Sequence, residues 1–145
     1  LEESQNYFED WFNSANQFFD MYRIMLERGE NNIAAFQLHQ ATERYYHALF
    51  LVLTLYSPKT HNLNQLRKLA EELDNTLVEI WPNDTKFHKR CYELLREAYV
   101  KARYSRHYRI TAEELAWLGE RVGMLRDRVR ALGEARLAAL RAEIV

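Results

Sequence analysis

The chain has 145 residues, of which 48% are hydrophobic and 28% charged, and a formal net charge of −1. That length suits one domain with a core large enough to stand without disulfides. The near-zero charge excludes a protein coated in basic residues for wholesale nucleic-acid binding, and no run of 18 apolar residues offers a membrane span.

Charge is unevenly distributed. Residues 86–109 hold eight Lys/Arg against two Glu, whereas residues 1–30 hold seven acids against two Arg. One patch can therefore attract an anion while the whole molecule stays near neutral. Cys91 is the only cysteine, so no internal disulfide can form, which fits a reducing cytoplasm. No secretory signal opens the chain. It does not begin with Met, which reads as a domain cut from a longer protein.

Four Gly and two Pro punctuate the sequence. A first helix is expected over Ser4 to Glu27, with Phe8, Trp11, Phe12, Ala15, Phe18, Phe19, Tyr22 and Met25 at helical spacing. Gly29 stops it. A second helix starts near Asn32, carries Ala35, Leu38, Tyr45, Leu49 and Leu53 on one face, and ends before Ser57-Pro58. Asn62 with Gln65 caps a short helix over Leu63 to Leu73. Trp81-Pro82-Asn83-Asp84 is a break, and a fourth segment runs from about Thr85 to Arg103 with Phe87, Leu94, Leu95, Ala98 and Tyr99 inward. Thr111-Ala112-Glu113-Glu114 is a capping box that starts the last helix. That helix extends toward Ala142, about 45 Å at 1.5 Å per residue. Past Gly133, Leu137, Leu140 and Ile144 continue an apolar stripe that calls for a partner surface. The expected fold class is all-α: an up-and-down bundle of four main helices plus one short helix.

Three constellations bear on chemistry. The first is Lys101-Ala102-Arg103-Tyr104-Ser105-Arg106-His107-Tyr108-Arg109, with four cations, one imidazole and two phenols. Arg offers bidentate contacts to phosphate oxygens, and Tyr rings stack on bases. If the fourth helix runs one turn further, Arg103 and His107 share a face and could act on a 2′-hydroxyl and its phosphodiester. The plainer reading is a basic helix end that complements its own dipole. The second is the row His39, Glu43, His47 on the second helix. A metal could use such a row, but a polar rib flanking the core face is the simpler expectation, and no metal or other cofactor is assigned. The third, His88 with Cys91, has too few ligands for zinc, and Cys91 reads as a small buried residue.

Two stretches resemble the HEPN family, the helical domains named for higher eukaryotes and prokaryotes nucleotide-binding. One is Ala34-Ala35-Phe36-Gln37-Leu38-His39-Gln40-Ala41-Thr42-Glu43-Arg44, continuing through Tyr45 to Leu55 into Pro58-Lys59-Thr60-His61-Asn62-Leu63. The other is Ala102 to Thr111. The resemblance implies a helical bundle that pairs as a homodimer, with the Arg103–Tyr108 segments facing a shared cleft. It implies either a metal-independent ribonuclease with an R-x4–6-H motif or a module that sits beside a nucleotidyltransferase, on the same or a partner chain, in prokaryotic defence or toxin–antitoxin systems. The closer likeness is to the nucleotidyltransferase-linked kind. Arg103 and His107 have only three residues between them, so the resemblance implies anion binding more directly than cleavage. The ligand set it gives is Lys101, Arg103, Tyr104, Arg106, His107, Tyr108, Arg109 and Glu43. Arg103 and His107 would be catalytic only in the ribonuclease alternative, and a purely structural dimerisation domain is the third reading.

Overall fold

A computed structural model describes residues 1–144. Among them are five α-helices and one 3-10 helix, with no strand. The helices are α1 (Glu2–Glu27), α2 (Asn31–Thr54), α3 (Leu63–Leu73), α4 (Lys86–Tyr104) and α5 (Ala112–Ile144); the 3-10 helix spans Asn75–Ile80.

Local chemistry sets the boundaries. Gly29 takes a positive φ of 74° after α1, and its N–H and that of Glu30 return to the carbonyls of Leu26 and Met25. This pair of bonds satisfies the last orphan carbonyls of the helix. The Asn62 side chain accepts from Gln65 N at 3.2 Å, capping α3. At α5 the capping box forms in both directions: Glu114 N donates to Thr111 Oγ1 at 3.1 Å, and Thr111 N donates to Glu114 Oε1 at 2.8 Å. Sequence periodicity does not foresee the 3-10 helix. Its signal is weak because six residues cannot display a helical repeat. It is held from outside, by Arg121 on the carbonyls of Ile80 and Glu79 and by Arg128 on that of Thr76.

α2 is the central element and packs against each of the other four α-helices. A helix surrounded on all sides buries its whole circumference. This is why His39, Gln40, Thr42, Glu43 and His47 are buried together with Leu38, Tyr45 and Leu49. The rib expected to flank the core lies inside it.

The last helix also departs from expectation. Of the stripe past Gly133, Leu137 is buried and Leu140 half-buried, and Gly133 itself sits against the Phe8 ring with no room for a Cβ. The N-terminal turns of α1 cover this stretch, and only Ile144 at its end is largely exposed.

Candidate functional site

α4 ends at Tyr104, because Ser105 turns to extended backbone (φ −89°, ψ 129°). The chain then folds inward. Tyr108 is 4% exposed, and its hydroxyl donates to the carbonyl of Leu94 at 2.6 Å. Burial pushes that phenol well above its ordinary range. Tyr108 is therefore a core residue that anchors the link between α4 and α5, and it cannot stack on a ligand. Asn32 and Asn31 add bonds to the carbonyls of Tyr108 and Ile110.

Two consequences follow for the expected pair. Because the helix stops at Tyr104, Arg103 and His107 do not share a helical face. His107 lies in the exposed link, where its N–H donates to Ser105 Oγ at 3.2 Å. Arg106 and Arg109 are also exposed there, and Arg109 donates to the carbonyls of Arg106 and Tyr108.

Arg103 lies in a richer setting. Its guanidinium carbon is 4.6, 4.8 and 4.9 Å from the rings of Phe36, Tyr99 and Tyr104, within cation–π range of each. Nε donates to the Tyr99 carbonyl at 2.9 Å. Lys101, earlier on the same helix, pairs with Glu97 at 3.1 Å. Among the described residues no carboxylate pairs with Arg103, Arg106 or Arg109. Tyr104 is 75% exposed.

Tyr99 joins Arg103 to a second group centred on Glu43. The His61 ring stacks on Tyr99 at 4.4 Å and 11°, and His61 Nδ1 lies 2.6 Å from Glu43 Oε1. The other Glu43 oxygen accepts from Gln40 Nε2 at 3.3 Å and lies 3.6 Å from His39 Nδ1. His47 Nε2 is 3.8 Å from Glu43 Oε1, and its Nδ1 meets Ser57 Oγ. Burial alone would raise the Glu43 carboxyl, but the imidazoles of His47, His39 and His61 outweigh it and hold the group below the usual range. Burial drives His39 down to about 4, against the pull of Glu43. Glu43 is thus a carboxylate wholly occupied by its neighbours. No group of three or more His, Cys, Asp or Glu is placed to hold a metal among the described residues.

His61 is the residue that sequence reasoning misses. Its side chain is 57% exposed, and it stands on a ridge between two cavities of about 510 and 390 Å³. A signal does exist: eight residues separate α2 from α3, enough chain to fold back along α2 as far as Glu43. Phe36 and Tyr99, expected only as family-motif and core positions, form the bed of Arg103. Of the remaining pair, His88 stacks on Trp117 at 4.7 Å, and Cys91 is buried with its thiol pushed up to about 11 by burial.

A search of curated proteins returns no significant match. The family profile of the HEPN domain matches residues 8–132, from the second turn of α1 through most of α5. With most of its length matched in this way and an all-helical fold, the chain belongs to the HEPN domain family.

Proposed function

We propose that the protein is a HEPN module that binds a nucleotide or RNA phosphate at the C-terminal end of α4 and does not cleave it. Arg103 carries this reading. Its guanidinium rests on three rings and has no acid partner among the described residues, so its terminal N–H groups, beyond the Nε bond to the Tyr99 carbonyl, stay free for phosphate oxygens. Lys101, Arg106 and Arg109 add positive potential on the same end of the helix, with the exposed His107 among them. The open ring of Tyr104 is available to a base. Tyr104 and the exposed Val100 also give two copies an apolar patch on which to meet, in keeping with the pairing implied by the family resemblance. The same resemblance supports a nucleotidyltransferase domain, on this or a partner chain, as the module's neighbour in a prokaryotic cytoplasmic defence or toxin–antitoxin system. The test is titration of short single-stranded RNA at several salt concentrations. Arg103→Ala weakens binding tenfold or more, and log affinity falls with log salt as counterions are released. Affinity that ignores salt, or an unaffected variant, defeats the reading.

A second reading, a metal-independent endoribonuclease, is favoured by the Glu43–His61 pair. There His61, not His107, takes the proton from the 2′-hydroxyl, Glu43 holds its imidazole, and Arg103 neutralises charge on the phosphorus centre. Chelator-resistant RNA cleavage that survives His107→Ala and disappears in His61→Ala replaces the first reading with this one.

A further inference from the structure

The larger cavity, of about 510 Å³, opens between the first turns of α1, the second half of α2 and the loop at 57–61. Its volume lies within the range of small-molecule sites. One wall is aromatic: Trp11, and Tyr7 with half of its surface in solvent. Arg44 and Lys59 supply positive charge to the lining, and among the described residues neither has a carboxylate partner.

Arg44 is half-buried, with its guanidinium carbon 5.5 Å from the Trp11 ring and 4.8 Å from that of Phe18. One terminal nitrogen donates to Ser14 Oγ at 3.1 Å, while Nε is buried with no hydrogen-bond partner. A partly desolvated guanidinium without an anion is costly to maintain in a fold. The one acid on the lining cannot answer it, because Glu43 is taken up by His61 and Gln40. An apolar flat wall beside uncompensated cations fits a ligand that is flat and aromatic at one end and anionic at the other.

The structure assigns this cavity to a nucleoside phosphate, with the base against Trp11 and Tyr7 and the phosphate on Arg44 and Lys59. The assignment rests on the phosphate-binding reading for the ligand's class, but it uses none of the residues at the end of α4. His61 lines the cavity and stacks on Tyr99, the ring beneath Arg103, so a strand lying on Arg103 and crossing His61 leads toward the cavity.

Titration of AMP, followed by tryptophan emission and calorimetry, tests it on the full chain. AMP binds and perturbs the emission, while adenosine and inorganic phosphate each bind at least tenfold more weakly. Lys59→Ala and Arg44→Gln each weaken AMP tenfold or more, and Lys68→Ala, an exposed cation on α3 that does not line the cavity, leaves AMP affinity within twofold. Lys59 is an exposed loop residue, so its variant keeps the test valid if Arg44→Gln fails to fold. A short oligoribonucleotide that binds more tightly than AMP, and needs both Lys59 and Arg103, identifies the source as a strand; equal affinity identifies a free nucleotide. Equal binding of inorganic phosphate and AMP, or AMP affinity untouched by Lys59→Ala, overturns the assignment. Neither result bears on Arg103 and RNA, so the two proposals fail separately.

Discussion

The middle of α2 and the link between α4 and α5 carry similar side chains under opposite constraints. Around Glu43, three histidines and a glutamine converge on one buried carboxylate, and each is fixed by the helix or loop it comes from. Along residues 105–109 the arginines and His107 are exposed, and Tyr108 is the one buried side chain that ties the segment to the core. The comparison separates two uses of polar residues. In the hub, geometry is over-determined, so removing one member strands the others. In the link, charge is displayed without an acid partner, so each member acts independently and stability is indifferent to it.

The sharpest way to break this contrast is to remove the hub's centre. Glu43→Ala leaves His61 Nδ1 without its partner, removes one bond from the buried Gln40 amide, and leaves Gln40 and His39 only their mutual 3.3 Å contact inside the core. A stability loss of about 2–4 kcal/mol is expected, since each buried group left unsatisfied costs on the order of 1–3 kcal/mol. Denaturant titration reads it directly. A loss under about 0.5 kcal/mol would show that the histidines do not depend on the carboxylate.

Acid should probe the same place in the intact protein. His39 in the folded state is held near 4, against 6.5 for its ordinary value. Below pH 6.5 the unfolded chain takes up a proton that the folded chain refuses, so stability falls as pH drops from about 6.5 to about 4. Glu43 is held below its ordinary value, so it contributes stability above that value and loses it as pH falls further. Both effects have the same sign. A tenfold change in proton affinity corresponds to about 1.4 kcal/mol, so the His39 part amounts to about 3 kcal/mol by pH 4. Thermal unfolding between pH 7 and pH 4 measures it, and His39→Gln should flatten the upper part of the curve. A wild-type profile that is flat over this window contradicts a buried neutral His39.

The two tyrosines of the link region offer a smaller comparison. Tyr108→Phe removes the bond to the Leu94 carbonyl and should cost about 1 kcal/mol, the net worth of a buried hydrogen bond. Tyr104→Phe should change stability by less than about 0.5 kcal/mol, as exposed substitutions do. Equal effects would place both rings in the same environment, against the fold described.

Much of this is legible in the sequence where chemistry is local. The Asn62 cap, the Thr111–Glu114 box and the Gly29 stop each depend on residues within five positions, and all three form as their spacing implies. The bounds of α3 follow from the same signals. What the sequence hides is long-range. Nothing in the spacing of His39, Glu43 and His47 says that α2 is enclosed on all sides, because that depends on where four other helices lie. Tyr108 sits among cations in the sequence, and only the turn at Ser105 sends it toward Leu94. His61 belongs to the hub through a contact between residues 18 apart.

The smallest expected effect is also the one that most directly separates the two regions. Pairing His107 with Arg103 requires a continuing helix, and the helix stops three residues before it. Its backbone N–H bonds to Ser105 Oγ, a contact that any residue but proline can make at this position. The side chain is exposed and has no hydrogen-bond partner among the described residues. His107→Ala should therefore leave stability within about 0.5 kcal/mol of the parent. It should weaken RNA far less than Arg103→Ala does, as one member of a field of several charges. Arg103→Ala should weaken binding tenfold or more, because its guanidinium is set on three rings with its terminal N–H groups open to phosphate oxygens. Parallel titrations of both variants at one pH and one salt concentration make the comparison. If His107→Ala matches Arg103→Ala, His107 contacts the ligand specifically, and the link is a structured part of the site instead of a field of separate charges.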